Sequence, residues 1–404
     1  MNRLTTPFGS HELTRFPEDP RDRLRAWDAA DEYLLRHLHG GTGERGPVDL
    51  SAAAGRITVF GDRWGALATA LAAYRPVQIT DSYLTRAATG ANLRRAGVPQ
   101  GAVTLLTTQD APPERIDVLL VRVPKSLALL EDQLLRLAPH VHAGTVVVGA
   151  GMVKEIHTST LDLFERILGP TRTSLAEKKA RLIFCTPDPA AGEGTPSGGG
   201  SRWPLAYTLD GDAGSGAGLT AVNHAGIFCA DRLDVGTRFF LQSIPNNTAG
   251  ARVVDLGCGN GIVGTAVAVA DPEAEVVFAD ESYQAVASAR ATYEANVPGG
   301  SRRGRAEFFV GDGLAMLPAA SVDLVLSNPP FHSHQATTDA TALRMFAQSR
   351  RALRPGGELW IVANRHLGYH THLRRLFGNS EVVAGEPRFV VLRAVKREKR
   401  PRPM

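Results

Sequence analysis

Two short segments of this 404-residue chain carry residues whose types and spacing are suited to chemistry. Residues 253–261 read VVDLGCGNG, which is typical of a buried strand that ends in a glycine-rich turn and leads into a helix. Residues 327–331 read SNPPF and place an amide, two prolines and an aromatic ring after another apolar run. Taken together, the two segments favour a site that holds S-adenosylmethionine beside a planar substrate with an amino group.

The glycine-rich turn contains Gly257, Gly259 and Gly261. Glycine tolerates positive φ and lets a ligand approach the backbone, and a helix that follows such a turn directs its first amide groups at the ligand. A nicotinamide dinucleotide is the competing cofactor, but its fingerprint requires glycine where Ile262 stands. We therefore expect the three glycines to contact S-adenosylmethionine.

Three acidic residues stand at the ends of successive predicted strands. We expect Asp255 to reach the amino group of the methionine moiety, Asp280 to accept hydrogen bonds from the ribose hydroxyls, and Asp312 to accept one from the adenine amine. Each of them alone is equally well explained as a cap or turn residue. Three at successive strand ends favour a cofactor site.

Residues 328–331 form the predicted transfer site. An exocyclic amine on an aromatic base is a weak nucleophile, because its lone pair is delocalised into the ring. We expect the Asn328 side-chain oxygen and the Pro329 carbonyl to accept hydrogen bonds from the amine, Pro330 to restrict the backbone, and Phe331 to stack on the base. Catalysis then comes from positioning and preorganised acceptors, without a metal. The target base must be unpaired or flipped out.

Apolar strand patterns alternate with helical patterns in both halves of the chain, which predicts an α/β fold with two mainly parallel, doubly wound sheets. In the second half the predicted strands are residues 252–256, 275–280, 306–310, 322–327, 358–363 and 388–395, with helices at 282–296 and 340–353 and a stop signal at 354–357. In the first half they are residues 56–60, 76–81, 102–106, 116–123, 145–149 and 180–185.

The two halves share landmarks at slowly growing offsets, which is typical of a duplicated domain with loop insertions. In this comparison Arg63 replaces Gly259, and Arg122 replaces Asn328. The first half is therefore expected to keep the fold and to lack the chemistry. Because Arg63, Arg122 and Lys125 are all cationic, we hypothesise that they bind RNA.

The composition sets the predicted domain boundaries. We expect a degenerate domain at residues 1–186, a Gly/Ser/Pro-rich linker at 187–218, a catalytic domain at 219–395 and a basic tail at 396–404. The N-terminus lacks the apolar region of a signal peptide, and no apolar run approaches membrane-spanning length. Three widely spaced cysteines are typical of a protein in the reducing cytoplasm.

The glycine turn and the Asn-Pro-Pro-Phe segment resemble the S-adenosylmethionine-dependent methyltransferases that modify exocyclic or amide nitrogens. Nearly the whole chain resembles the two-domain ribosomal RNA guanine-N2 methyltransferases. The segments that carry this resemblance are residues 226–237, 255–261, 280–282 and 328–332. The resemblance implies two tandem Rossmann-like class I methyltransferase domains, each with an antiparallel last strand, the first domain being degenerate. It also implies that Phe228, Gly236 and Thr237 line the cofactor.

Within that family, residues 364–369 and 388–392 are more similar to the large-subunit (23S) enzymes. The resemblance implies N2-methylation of one guanine in 23S ribosomal RNA. Two fused domains could carry out this reaction as a monomer. Other readings remain open: the same reaction on 16S RNA, methylation of a protein glutamine or of adenine N6 in DNA, and a non-catalytic RNA-binding assembly factor. His366, His370 and His372 are expected to be exposed and to bind no metal.

Overall fold

The computed structural model describes residues 2–19, 22–41, 46–188, 191, 201–245, 248, 250–330 and 336–398. The chain divides into two compact units, Met1–Trp203 and Pro204–Met404. No helix in these described ranges is long and apolar enough to cross a membrane.

The first unit is built on a seven-stranded sheet. The strands of the whole unit are β1 (Arg3–Thr6), β2 (Gly9–Glu12), β3 (Ile57–Phe60), β4 (Val77–Thr80), β5 (Thr104–Thr107), β6 (Ile116–Arg122), β7 (Val141–Met152), β8 (Thr171–Thr173) and β9 (Ala180–Cys185). The main sheet has the order β5-β4-β3-β6-β7-β9-β8, and β9 runs antiparallel to both of its neighbours. Strands β1 and β2 form a separate antiparallel hairpin. The α-helices are α1 (Ala29–Leu38), α2 (Ala66–Ala70), α3 (Tyr83–Arg95), α4 (Leu127–Leu137) and α5 (Thr158–Ile167).

The second unit repeats this strand order. Its strands are β10 (Leu205–Thr208), β11 (Thr220–Asn223), β12 (Arg252–Leu256), β13 (Glu275–Asp280), β14 (Ala306–Val310), β15 (Val322–Ser327), β16 (Leu353–Asn364), β17 (Glu381–Gly385) and β18 (Phe389–Val395). The main sheet has the order β14-β13-β12-β15-β16-β18-β17, again with an antiparallel strand next to the edge. The α-helices are α6 (Val235–Leu241), α7 (Ile262–Ala270), α8 (Tyr283–Asn296), α9 (Ala336–Ala352) and α10 (Tyr369–Phe377).

The predicted fold class is confirmed, and β12 to β15 begin and end at the predicted residues. Strands β12, β13 and β15 are covered on both faces, so that Val253 belongs to the apolar core on one side of the sheet and Val254 to the core on the other. Strand β16 differs from the prediction because it begins at Leu353, directly after α9. Leu353 pairs with Val322 and Glu358 pairs with Leu324, so the predicted stop signal at 354–357 forms an irregularity within the strand.

The prediction of a linker at 187–218 is wrong for its C-terminal part. Strand β10 pairs with β11, and Leu209 and Ala213 are buried in the core of the second unit. Gly214 is needed for close packing, since a Cβ there would lie 2.8 Å from the Cα of Gln242. Residues 189–190 and 192–200, which carry part of the predicted linker, lie outside the described residues, as do 399–404 of the predicted basic tail.

The hypothesis that three cations of the first unit bind RNA is wrong for Arg122. Its side chain is only 2% exposed and makes ion pairs of 2.8 Å with Asp28 and with Asp31. It also donates a hydrogen bond to the Ala150 carbonyl. A guanidinium that is paired and buried in this way is unavailable to an RNA phosphate. Sequence alone could not reveal this, because Asp28 lies 94 positions away from Arg122.

Replacement of Arg122 by methionine is expected to destabilise the first unit by about 3–5 kcal/mol, because it leaves two carboxylates near a buried site without their partner. The free energy of unfolding in urea, followed by circular dichroism, measures this. The control is Lys125→Met, at an exposed position, where a change within about 0.5 kcal/mol is expected. Equal stability of the two variants would show that the ion pairs have no structural role.

Candidate active site

The strand register brings four strand ends to one edge of the second sheet. Leu256 of β12 pairs with Ala279 of β13 and with Ser327 of β15, and Asp280 pairs with Val310 of β14. All of these pairings are parallel, so the residues that follow each strand lie together at the carboxyl end of the sheet. The Ser327 hydroxyl also donates a 2.7 Å hydrogen bond to the Leu256 carbonyl. The glycine turn and the Asn-Pro-Pro segment are therefore neighbours.

The glycine turn needs all three of its glycines for backbone reasons. Gly257, Gly259 and Gly261 have φ values of 69°, 53° and 73°, in the left-handed region that side chains disfavour. A Cβ at Gly261 would lie 2.6 Å from the Ala289 Cβ, so this glycine also lets α7 approach α8. A Cβ at Gly259 would meet no atom within 4 Å, so its backbone faces open space that a ligand can enter.

Asp280 is held against this turn by backbone donors. Its Oδ2 accepts a 3.0 Å hydrogen bond from the Gly259 N–H, and its Oδ1 accepts one of 3.0 Å from the Ser282 N–H. Burial raises the pKa of this carboxyl, and the backbone hydrogen bonds act against that rise. A carboxylate oxygen can accept more than one hydrogen bond, so acceptance from ribose hydroxyls stays a prediction.

Asp255 is bound within the fold. Its side chain is 3% exposed, and Oδ2 accepts a 2.8 Å hydrogen bond from the Gly264 N–H in the first turn of α7. The helix lies close to the sheet here, since a Cβ at Gly264 would lie 2.5 Å from Cε1 of Phe278. Burial raises the pKa of Asp255 to about 7. Its contact with a methionine amino group stays a prediction.

Asp312 follows β14 and is also already paired. Its Oδ1 lies 3.1 Å from Nε of Arg344 on α9, and its side chain is 15% exposed. Gln348 of the same helix donates to its backbone carbonyl. The carboxylate keeps lone pairs for a further donor, so the predicted hydrogen bond to an adenine amine stays a prediction.

The two polar atoms of the Asn328 side chain have different surroundings. Its Nδ2 donates hydrogen bonds to the Thr237 Oγ1, at 2.8 Å, and to the Asp234 Oδ2, at 3.2 Å. Its Oδ1 is buried and accepts no hydrogen bond from any residue that the structure describes. Pro329 is buried and Pro330 is exposed. Phe331, the predicted stacking residue, lies outside the described residues.

The segment before β12 contributes α6, whose first turn lies against Asn328. Of the residues that the family resemblance implied here, Thr237 contacts the Asn328 amide, and Gly236 is packed so tightly that a Cβ would lie 3.2 Å from Cε1 of Phe389. Phe228 is 66% exposed. Asp234, which was not among the predicted site residues, caps α6 by accepting a hydrogen bond from the Thr237 N–H. An aspartate followed by an apolar helix pattern is the signal that could have identified this cap.

Comparison with known proteins agrees with the two units. The family model described as the RLMG N-terminal domain matches residues 1–189, and the one described as the methyltransferase small domain matches residues 218–393. A solved T. thermophilus 16S rRNA N2 methyltransferase, in complex with AdoMet and guanosine, has a similar fold. It shows a TM-score of 0.70 at 21% identity and covers 98% of this chain and 97% of its own.

Curated relatives extend over the whole chain. The ribosomal RNA large subunit methyltransferase G of Streptomyces avermitilis is 68% identical, over 98% of this chain and 99% of its own length. The protein of the same name from Stutzerimonas stutzeri is 46% identical, over 97% of this chain and 99% of its own. The chain belongs to the ribosomal RNA large subunit methyltransferase G family.

The Asp255 contact predicts a specific pair of stability changes. Asp255→Asn keeps an oxygen that can accept from the Gly264 N–H, so it should cost less than about 1 kcal/mol. Asp255→Ala leaves that buried N–H without an acceptor and should cost about 1–3 kcal/mol more. Urea unfolding of the protein without cofactor measures both values.

The same variants predict a pH dependence. The folded-state pKa of Asp255 is raised to about 7 from an ordinary value of 3.8, so the folded form holds its proton longer than the unfolded form. The stability contributed by this group therefore falls as the pH rises from about 4 to about 7. Asp255→Asn should show a smaller loss over this range than the unsubstituted protein. Identical slopes would show that Asp255 titrates normally.

Proposed function

We propose, from this family membership and from the site geometry, that the protein transfers a methyl group from S-adenosylmethionine to the N2 amine of one guanine in 23S ribosomal RNA. The large-subunit names of relatives at 68% and 46% identity support the choice of RNA. The three cysteines are unpaired, as is common in the reducing cytoplasm, where we place the reaction.

The observation that carries this proposal is the buried Oδ1 of Asn328, which accepts no hydrogen bond from the residues that the structure describes. A buried acceptor without a partner costs free energy, so such a group in an active site is expected to meet a donor from a ligand. The N2 amine of guanine has two N–H groups and no competing acceptor on the same atom. Oδ1 would accept from one of them and the nearby Pro329 carbonyl from the other, which orients the nitrogen lone pair.

The residues at the strand ends fit the proposed cofactor. The backbone at Gly259 faces open space, and Asp280 is fixed beside it with lone pairs that remain for hydroxyl donors. S-adenosylmethionine supplies an electrophilic methyl group on its sulfonium. Asn328 and Pro329 would hold the amine while its N–C bond forms and the methyl–sulfur bond breaks, with the electron pair of that bond left on the sulfur of S-adenosylhomocysteine. The proton that the amine loses would pass to water. Positioning and preorganised acceptors account for the catalysis.

The test incubates the protein with methyl-labelled S-adenosylmethionine and unmodified 23S or 16S RNA, separately, and then digests the RNA to nucleosides. Label in N2-methylguanosine from 23S RNA alone is expected. Asn328→Ala should lower kcat by about 10²–10³-fold, which is typical for the loss of one preorganised hydrogen-bonding group. Ser321→Ala is the control, because Ser321 directly precedes β15 at the end of the strand opposite to Asn328.

Other outcomes would change the proposal in defined ways. Label from 16S RNA alone would overturn the subunit and keep the chemistry. Absence of label from both RNAs and from assembled large subunits would favour a non-catalytic assembly factor. Full activity of Asn328→Ala would refute the role of its amide.

Helix α10 offers a basic surface for the RNA. It turns Tyr369, Leu373 and Phe377 into the core and exposes the opposite face. The exposed side chains of this face include His370, His372, Arg374 and Arg375. Residues 364–380 contain no aspartate or glutamate, so no acidic neighbour in that stretch offsets these charges. In the part of the chain that the structure describes, no group of three or more His, Cys, Asp or Glu residues could hold a metal ion.

This surface predicts a salt-dependent contribution to RNA binding. Arg374→Ala and Arg375→Ala should each weaken affinity for 23S RNA and should each reduce the slope of log K against log salt concentration by about 1. Filter binding over a range of salt concentrations measures this. Arg94→Ala, at an exposed arginine in the last turn of α3, is the matched control. An unchanged slope in both α10 variants would place the RNA elsewhere.

A further inference from the structure

The amide of Asn328 is part of a small network whose donors and acceptors can be assigned. Its Nδ2 lies 2.8 Å from the Thr237 Oγ1 and 3.2 Å from the Asp234 Oδ2. The Thr237 Oγ1 lies 3.3 Å from the same Asp234 Oδ2. Three polar groups from α6 and from the end of β15 are thus mutually in contact.

The chemistry of the groups fixes the direction of each hydrogen bond. An ionised carboxylate only accepts, so the single hydroxyl hydrogen of Thr237 points to Asp234. The hydroxyl lone pairs then face Asn328 and accept from its amide. Because both neighbours of the amide are acceptors on that side, its nitrogen must face them. The inverted amide would place Oδ1 against a carboxylate oxygen, which is repulsive.

We propose that Asp234 and Thr237 are positioning residues, which hold the Asn328 amide in the one orientation that presents Oδ1 to the substrate amine. This inference rests on the proposed function. The inverted amide would present N–H groups to the N–H groups of the guanine, and no hydrogen bond would form. Donation from the amide to a carboxylate also polarises the amide and strengthens its oxygen as an acceptor.

The first unit contains the corresponding contact with a different outcome. Asp28 caps α1 as Asp234 caps α6, and its Oδ2 accepts a 2.8 Å hydrogen bond from Arg122. The strand register shows that Arg122 and Asn328 are at equivalent positions. Phe60 pairs with Val121 and Leu256 pairs with Ser327, and Arg122 and Asn328 are the residues that come next. In both units a helix-capping carboxylate receives a donor from the end of the fourth strand.

Arg122 and Asn328 differ in the hydrogen-bonding groups that remain once each has donated to its aspartate. A guanidinium has five donors and no acceptor, so Arg122 offers nothing that could accept from an amine. The amide of Asn328 has two donors and one acceptor. Once Asp234 and Thr237 have taken the donors, the acceptor is the remaining group. The equivalent capping carboxylates therefore have different effects: Asp28 pairs with an arginine that has no acceptor, whereas Asp234 orients an amide whose oxygen can still accept.

A competing explanation is that Asp234 serves as a helix cap and nothing more, because its Oδ2 also accepts from the Thr237 N–H at 2.9 Å. Variants can separate the two roles. Asp234→Ser keeps a capping hydroxyl but has a shorter side chain that does not extend to Asn328. Asp234→Asn keeps the length and one oxygen. Thr237→Val removes the hydroxyl at nearly constant shape, and Thr237→Ser restores it.

Steady-state kinetics with 23S RNA and S-adenosylmethionine form the first test. Asp234→Ser and Thr237→Val should each lower kcat by about 10–100-fold, as expected for loss of a hydrogen bond that orients a reacting group. KM for the RNA, the Kd for S-adenosylmethionine and the thermal midpoint should change little. Thr237→Ser and Asp234→Asn should recover most of kcat. A Kd for S-adenosylmethionine that rises in step with the fall in activity would instead assign Thr237 to the cofactor and overturn the proposal.

A double-mutant cycle gives the sharper comparison. If Thr237 acts through Asn328, then Thr237→Val should have almost no further effect in a protein that already carries Asn328→Ala. Single-turnover measurements with labelled S-adenosylmethionine follow the slow variants. Effects that multiply would show that Thr237 acts independently of the amide, which would refute the inference.

A measurement without RNA keeps this test separate from the proposed function. In protein labelled with 15N at asparagine, the Asn328 side-chain signals are identified by their loss in Asn328→Ala. Both amide hydrogens should exchange slowly with solvent, and Thr237→Val should accelerate that exchange. Slow exchange in a protein that methylates neither RNA would support the fixed amide and overturn the substrate. Fast exchange of both hydrogens in the unsubstituted protein would overturn the network itself.

Discussion

The parallel register between β12 and β15 is the constraint on which the candidate site depends. Leu256 lies opposite Ser327, and the serine hydroxyl donates to the leucine carbonyl across the strands. Gly257 and Asn328 directly follow these residues, so the glycine turn and the Asn-Pro-Pro segment are adjacent although 71 positions separate them. A shift of one residue would turn the side chains of β15 to the opposite face of the sheet. The local turn chemistry therefore matters only because the sheet has set this pairing.

The repeated strand order shows that one scaffold supports two different polar arrangements at this edge. In the first unit Ala68, in α2, donates its N–H to Asp62, as Gly264 does to Asp255 in the second. Burial raises the pKa of both carboxyls to about 7. The link between the strand edge and the following helix is thus kept in both units, although the aspartate has moved from the strand to the turn. What differs is Arg122, which makes ion pairs at the strand position where the second unit has Asn328.

The sequence predicted the parts of the fold that have a strong local signal, such as the mainly apolar runs of β12 to β15. It did not predict β10, β11 or β17, because strands of four or five residues that are at most partly buried lack such a run. Asn328 was accessible to sequence reasoning through its motif, whereas the pairing of Arg122 and the contact of Asp234 were not. Asp28 precedes Arg122, and Asp234 precedes Asn328, by 94 positions each, so both contacts exist only in the folded chain.

The Oδ1 of Asn328, for which no described residue supplies a donor, also bears on substrate choice. Leaving a buried acceptor unpaired costs about 1–3 kcal/mol, and a ligand that donates to it recovers that cost. A base that presents a carbonyl oxygen at the same position would bring two acceptors together and leave the cost in place. Sites that hydrogen-bond a substrate N–H reject analogues without it far more strongly than apolar pockets reject a change in size. If Asn328 accepts from the substrate as proposed, the contacts of its amide nitrogen with Asp234 and Thr237 would favour an amino group over an oxygen at that position.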